Sequence, residues 1–304
     1  MNLARTQEEF DEWLRRVHDE QGTGANPGLG SLNFLDGAAR ARGCASISAG
    51  ICVGLAQHLQ AGPNVRGDDG LTFDLEVFSR PSPEGSHAGH GFGLQSDHVE
   101  LDCHGPVNTH IDALNHIGLF GTWFDGTPIS QITTAGSVAE LADVGIFTRA
   151  VYADIPAARG TEFVEPNREV TGSDIDDALA RTGVTFEPGD ALLLDGGREK
   201  YEQRYGPWHL TKPRAGHGPS VAAWIVEHRP SIVLWDMCDG DNTLGVYVPV
   251  HKLNWAIGLV MVDNCDFTQA RQFLAKSAGV CALVVAPLPI DGATGNNVNP
   301  MLIF

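Results

Sequence analysis

Residues 104–116 read His-Gly-Pro-Val-Asn-Thr-His-Ile-Asp-Ala-Leu-Asn-His, three imidazoles and a carboxylate in one short stretch. If the backbone is extended through Thr109–Ala113, side chains at i and i+2 leave on the same face, so His110 and Asp112 converge. His116 follows a few residues on and His104 precedes by a few. Mixed imidazole and carboxylate donors suit a borderline cation such as Zn²⁺ or Mn²⁺. A spare histidine beside such a site supplies a proton carrier that titrates near neutral pH, and the combination is the apparatus of a hydrolase. A lone His-x-Asp pair in a strand is commonly satisfied by backbone partners. Two further histidines, with Asn108 and Thr109 beside them, favour a functional site.

A second group of candidates lies in Pro249-Val250-His251-Lys252-Leu253-Asn254-Trp255-Ala256-Ile257-Gly258 and the following Leu259-Val260-Met261-Val262-Asp263-Asn264. One helix-plus-strand step separates His251 from Asp263, which could bring both to a distant site. Taken alone, a histidine before an amphipathic segment is more often a surface residue.

Together the two clusters resemble the cyclase family, whose members include bacterial kynurenine formamidases and isatin hydrolase. The family motif is His-x-Gly-Thr-His-x-Asp-x-Pro-x-His, and Asn108 to His116 matches its second half. His251 with Asp263 is similar to the later His and acidic ligand, with Asp where Glu is usual. Gly28-Leu29-Gly30-Ser31-Leu32-Asn33, Phe124-Asp125-Gly126, Ala286 to Gly295 and Val298-Asn299-Pro300 resemble further family segments in the expected order. Three positions depart from the pattern. Pro106 stands four residues before His110, where formamidase-like members place their first metal ligand, and His104 is the candidate substitute. Leu114 replaces the motif proline. Asp263 is one methylene shorter than Glu.

The resemblance implies an α/β chain forming a single domain, residues 1–304, with a mixed-sheet, cyclase-like fold of the swivelling β/β/α type and an N-terminal helical extension over about residues 1–30. It implies a divalent metal, Zn or Mn, held by His104, His110, Asp112, His251 and Asp263, with His116 as the proton-transfer residue. Phe120, Trp123 and Phe124 are candidates for an apolar wall against an aromatic substrate, with ordinary core packing as the alternative. The expected reaction is hydrolysis of an amide or cyclic amide C–N bond in a small molecule. The rival readings are a metal-independent cyclase, dehydratase or lyase using His104, His116 and Asp112, and a binder that has lost its chemistry. Family members assemble as dimers or tetramers, so a homo-oligomer is expected.

The elements that must position these residues follow from pattern. Thr6-x-x-Glu9 is a capping box, and Phe10, Trp13, Leu14 and Val17 share a helical face, which predicts a helix over 6–19. Gly22–Gly30 reads as a glycine-rich linker. A helix begins near Asp36, and Ala45–Leu55 turns strand-like. Asn64–Gly93 reads as a long loop around a strand candidate at Leu71–Phe78, and its His87 and His90 as surface rather than ligands. Glu100–Cys103 leads into the histidine cluster. Buried strands are expected at Val144–Asp154, Ala191–Asp195, Ser231–Asp236, Val260–Val262 and Cys281–Ala286. Helices are expected at Ser173–Thr182 (capped by Ser173 and stopped by Gly183), Ser220–His228, Leu253–Ile257 and Thr268–Ser277.

Bulk composition excludes other classes. A net charge of −18, with no basic run longer than Arg15-Arg16, argues against nucleic acid or an anionic membrane as partner. No apolar run approaches the ~20 residues of a transmembrane helix, and the start lacks a signal-peptide core, so a cytoplasmic location is expected. Cys44, Cys52, Cys103, Cys238, Cys265 and Cys281 form no Cys-x-x-Cys pair and read as reduced thiols. Asp195-Gly196-Gly197-Arg198 places an arginine in a turn after a strand, where it could contact substrate or pair with an acid. Asp236 is a candidate supporting acid or cap. Gly89-His90-Gly91-Phe92-Gly93 lacks the Lys-Ser/Thr of a phosphate loop, and no Gly-x-Ser-x-Gly elbow supports a serine hydrolase.

Overall fold

Four apolar-rich strands set the centre of the molecule. In the computed structural model, which describes residues 4–21, 26–59, 62–63, 72–80 and 94–304, they are the parallel strands β6 (Ile146–Asp154), β7 (Ala191–Asp195), β8 (Ile232–Trp235) and β9 (Met261–Asp263). Strands buried on both faces read as unbroken apolar runs because each face needs its own side chains. Val151, Ala153, Leu192, Leu194, Val233 and Trp235 enter one core. Their neighbours Ala150, Tyr152, Ala191, Leu193, Ile232 and Leu234 enter the other, on the opposite face.

Antiparallel strands extend this centre. β1 (Cys52–Gly54), β5 (His110–Asp112), β10 (Val280–Val285), β11 (Gly295–Asn297) and β12 (Met301–Ile303) complete a nine-stranded mixed sheet of order β1-β12-β10-β6-β7-β8-β9-β5-β11. β2 (Gly62–Pro63), β3 (Thr72–Arg80) and β4 (Leu94–Leu101) make a separate three-stranded sheet whose β4 leads towards the site. The fold is the single-domain, mixed α/β architecture expected. Residues 81–93, with His87, His90 and the glycine motif, and most of 60–71, lie outside the described residues.

Helices cover both faces. On the first lie α1 (Gln7–Gln21), α5 (Gly172–Thr182), α7 (Pro219–His228) and α8 (Lys252–Ile257); on the second lie α3 (Val138–Val144) and α9 (Arg271–Leu274). The short α2 (Gly37–Ala45), α4 (Ile155–Arg159) and α6 (Arg198–Tyr205) fill the connections. In α1, Phe10, Leu14 and Val17 are buried as their spacing predicts. Thr6 Oγ1 accepts from the Glu9 N–H at 3.2 Å, while Glu9 reaches back to the Arg5 N–H at 2.7 Å. Among the described residues no helix is long and apolar enough to cross a membrane.

Several boundaries differ from the sequence reading, each for a physical reason. Residues 26–34 are a docked 3₁₀ segment rather than linker: Ser31 Oγ donates to the Ser231 carbonyl at 2.8 Å and accepts the Val260 N–H at 3.0 Å. Gly30 makes that docking possible, since its φ is +47° and a Cβ there would sit 2.1 Å from the Gly258 carbonyl oxygen. The cap of α5 is Thr171, not Ser173, because Asp174 returns its carboxylate to the Thr171 N–H at 2.7 Å. In place of a helix over 268–277, only Arg271–Leu274 is α-helical. Ala45–Leu55 holds strand only at Cys52–Gly54.

Candidate active site

The extended backbone expected around His110 is β5, wedged between β9 and β11. Its register sets His110 directly opposite Asp263 and Asp112 opposite Gly295. Directly opposed residues of an antiparallel pair have Cβ atoms about 4.5–5.5 Å apart. The strand thus brings together His110 and Asp112 by the i, i+2 rule, and Asp263 by cross-strand pairing. His251, at the start of α8, adds its Nε2 at 3.1 Å from Asp263 Oδ2 and 4.0 Å from Asp112 Oδ2.

His104 takes a place that Pro106 cannot. Its Nδ1 lies 3.0 Å from Asp112 Oδ1 and its Nε2 lies 2.9 Å from Thr294 Oγ1. The His116 ring stacks on it with centroids 3.7 Å apart, and His116 Nε2 is 3.9 Å from Asp112 Oδ1. Pro106 contributes its carbonyl, which accepts from Arg198 Nη2 at 2.7 Å. Arg198 also donates to Asn264 Oδ1 at 2.7 Å and to Glu202 at 2.9 Å. Asn264 in turn donates to the carbonyls of Gly105 and Asn108 at 2.7 and 3.0 Å. Arg198 therefore pairs with an acid and fastens the loop that carries His104. Asp236 ties the β7–α6 turn by accepting the N–H groups of Gly196 and Arg198 at 2.7 and 2.9 Å.

The hydrogen bonds around the imidazoles decide which atoms face inward. His110 Nδ1 lies 2.7 Å from the Asn108 carbonyl, which can only accept, so Nδ1 carries a proton and a neutral ring presents the Nε2 lone pair. His251 Nδ1 is bonded to Asp239, whose carboxylate also accepts the Val250 and His251 N–H groups at 2.7 and 3.2 Å. Carboxylate–histidine pairs of this kind orient metal-ligating rings. Trp235 Nε1 donates to Asp263 Oδ1. Asp239, Asn264, Thr294 and Trp235 were not among the candidates read from sequence as site residues. Asp239 and Thr294 sit in segments with no periodic signal.

Two donor sets result, His104–His110–Asp112 and Cys238–His251–Asp263, and within each the donor atoms lie within 4.8 Å of one another. The residues present fit a divalent cation. His110, Asp112, His251 and Asp263 are buried and His104 is half-buried; they carry the imidazole and carboxylate chemistry a borderline ion takes, and the His110 and His251 rings are fixed from behind. Burial pushes the His251 imidazole towards the neutral form, but Asp263 and Asp239 outweigh it and raise its proton affinity well above the usual range. A pocket that draws a proton between its carboxylates is one that favours positive charge.

His116 differs. Burial lowers its pKa, and the opposing pull of Asp112 does not overcome that together with the neighbouring imidazoles. The balance favours the neutral ring, the form able to accept a proton. Burial, then the fields of Asp112 and Asp263 respectively, push the Cys103 and Cys238 thiols up to about 12. Burial also holds Cys265 well above the ordinary thiol range. None of these three is a thiolate at neutral pH, and all six cysteines are unpaired in the structure.

A cavity of about 290 Å³ opens on His104, His110, Asp112, His116, His251 and Asp263, and is lined also by Pro106, Trp208, Leu210 and Arg214. That volume suits a small molecule. Phe120, Trp123 and Phe124 are not part of this lining. Phe124 is buried in the core against Gly258. Phe120 packs edge-on to Trp255 beneath Arg15, and Trp123 donates to the Gln131 carbonyl at 2.8 Å. Beyond His116 the chain after β5 turns away from the cavity, so closeness in sequence did not become closeness in space. A larger groove of about 580 Å³ beside α1, lined by Phe10, Trp13, Glu169 and Leu244, holds none of the clustered histidines.

A family model described as "Putative cyclase" matches residues 54–242, more than half of the chain. The chain belongs to the cyclase family. The matched span contains His104, His110, Asp112 and His116, while His251 and Asp263 lie beyond its end. No curated protein sequence matches this one. Among solved structures, the crystal structure of a novel cyclase superposes with a TM-score of 0.74 at 19% identity, covering 91% of this chain and 96% of the other. Isatin hydrolase A from Ralstonia solanacearum gives 0.57 at 15% identity, over 84% and 92%. A predicted metal-dependent hydrolase from Bacillus stearothermophilus gives 0.52 at 15%, over 84% and 98%. At these identities the likeness is one of fold.

Proposed function

We propose that this cyclase-family chain is a metal-dependent hydrolase of an amide or cyclic amide C–N bond in a small aromatic molecule. The observation that carries the reading is the convergence of His110 and Asp112 on β5 with His251 and Asp263 from the C-terminal segment, rings oriented by Asn108 and Asp239. His104, His110, Asp112, His251 and Asp263 would hold the cation, Zn or Mn by donor type. When bound, such a cation polarises a carbonyl and acidifies water.

The rest is the work of the chain. Asp112 and Asp263 keep the pocket anionic and orient the imidazoles beside them. His116, whose burial favours the neutral ring, accepts the proton of the attacking water at Nε2 and returns it to the leaving nitrogen, as general base and then general acid. Leu210 supplies exposed apolar surface that Phe120, Trp123 and Phe124 do not, and the fully buried Trp208 forms part of the cavity wall.

The test is metal content by elemental analysis of protein purified without added metal, beside His110→Ala, with turnover of N-formyl and cyclic amides. Metal bound in the wild type and lost in the variant, with hydrolysis following the metal, supports the reading. Protein that takes up neither Zn²⁺ nor Mn²⁺ sinks it. One observation favours a second reading in that event: the His104–Asp112 hydrogen bond with His116 stacked behind it is already an acid–base pair, suited to metal-independent cyclase or lyase chemistry.

A further inference from the structure

The side of the cavity formed by Trp208, His209, Leu210 and Arg214, away from the His110–Asp112 cluster, has its own chemistry. Trp208 is buried there, its indole N–H donating to the Ala215 carbonyl at 2.6 Å. Two guanidinium groups lie near its ring, Arg198 at 5.2 Å and Arg214 at 5.4 Å from the ring centre. Arg198 makes four hydrogen bonds, to Glu202, Asn264 and the carbonyls of Asp236 and Pro106. Arg214 does not. Its Nε is shut off from solvent and donates to nothing. Among the described residues its guanidinium has no carboxylate partner, although the chain carries 38 acidic residues against 20 basic ones.

This side chain is not there by slack. The Arg214 N–H donates to Asp241 Oδ2 at 2.7 Å, and the Asp241 N–H donates to the Arg214 carbonyl at 2.9 Å. The backbone is thus clamped to the segment that carries Cys238 and Asp239, and the positive charge of Arg214 is felt at the Cys238 thiol. A buried donor without an acceptor carries the desolvation penalty of a hydrogen bond not made, so such groups call for an explanation. A ligand oxygen would supply one. A planar fork matches a carboxylate in two parallel hydrogen bonds. One monocation suits a monoanion. A phosphate dianion would need further positive charge in a cavity already lined by Asp112 and Asp263.

Resting on the hydrolase reading above, we propose that Arg214 sets the substrate class: it holds a carboxylate carried by a small, flat substrate whose body lies against the exposed Leu210 and whose scissile amide reaches the His110–Asp112 cluster.

The test compares benzoate with benzamide by isothermal titration calorimetry, on protein as purified and after chelation, in wild type, Arg214→Met, Arg214→Lys and His110→Ala. The wild type should prefer benzoate by about tenfold or more, as for a charge-assisted hydrogen bond. Arg214→Met should lose the preference, Arg214→Lys should keep part of it, and His110→Ala should keep it whole. The proposal is overturned if the wild type shows no preference, or if Arg214→Met with an unchanged melting temperature retains it. It is equally overturned if the preference disappears in His110→Ala, because the anion then sits at the ligand cluster. If Arg214→Met folds poorly, full wild-type preference in Arg214→Lys is the result that refutes the two-bond fork. Turnover is read separately. An Arg214-dependent preference in a protein that hydrolyses no amide would sink the hydrolase reading and leave the anion site standing, and the reverse pattern would sink the anion site alone.

Discussion

Asp239→Asn tests the assembly of the site most directly, because it alters one oxygen and leaves the shape. The native carboxylate accepts three donors: the Val250 N–H at 2.7 Å, the His251 N–H at 3.2 Å and the His251 ring Nδ1. An asparagine has one accepting oxygen, so at least one of these buried donors must face an amide NH₂. A buried donor left unpaired costs about 1–3 kcal/mol. If the oxygen stays on the ring, the Val250 N–H is orphaned, and the loss falls on stability. If it turns to the backbone, His251 loses its orienting partner, and the loss falls on metal affinity by roughly 10–100-fold. Chelator-competition titration of Zn²⁺ and chemical denaturation of the metal-free protein separate the two. The expected result is weaker metal binding with stability lowered by about 1–3 kcal/mol. Metal affinity within about twofold of wild type together with unchanged stability would refute the claim that the Asp239 carboxylate holds His251 in place.

Three further outcomes are expected. In α5, burial pushes the Asp174 carboxyl up, but its hydrogen bonds from Arg159 and Thr171 prevail and lower its pKa. A lowered folded pKa contributes stability above the unfolded value of about 3.9, lost as pH falls through the folded one. Asp174→Ala should therefore destabilise at pH 7 by about 1–3 kcal/mol, and its difference from wild type should shrink below about pH 4; a constant difference down to pH 2 would contradict this. Gly30→Ala should lower the denaturation free energy by about 2–4 kcal/mol, since φ is +47° and the new Cβ meets the backbone of Gly258; an unchanged midpoint would show that the 26–34 segment does not dock as described. Cys103→Ser should keep turnover within about threefold of wild type, because a thiol raised to about 12 is protonated at neutral pH; loss of turnover with metal retained would reopen a nucleophilic role.

What the sequence made legible was what local periodicity controls. Apolar runs marked β6 to β9, the 3.6-residue spacing of Phe10, Leu14 and Val17 marked α1, and alternation along β5 put His110 and Asp112 on one face. What it hid depends on register and on long-range hydrogen bonds. Asp239 has no neighbour in sequence that hints at His251, and Asn264 at φ +58° is defined by the loop it fastens. The polar α6, Arg-Glu-Lys-Tyr-Glu-Gln-Arg-Tyr, has no apolar stripe to betray a helix. Spacing alone could not choose the α5 cap: Thr171-x-x-Asp174 and Ser173-x-x-Asp176 both have the capping-box pattern, and only the fold closes the first. The aromatic wall was misplaced because Trp208, about ninety residues from the histidine cluster, reaches the cavity through the fold and not along the chain.

The position of β5 between β9 and β11 has a consequence for biogenesis. A strand made early in synthesis finds both its partners about 150 residues or more later, so neither edge of it can be closed until the C-terminal segment exists. Pairings of such separation form late. Asp263 must have left the ribosome before His110, Asp112 and His251 can meet it. A nascent chain therefore has no assembled site, and under the proposed metal-hydrolase reading metal uptake would report that β5 has paired with β9.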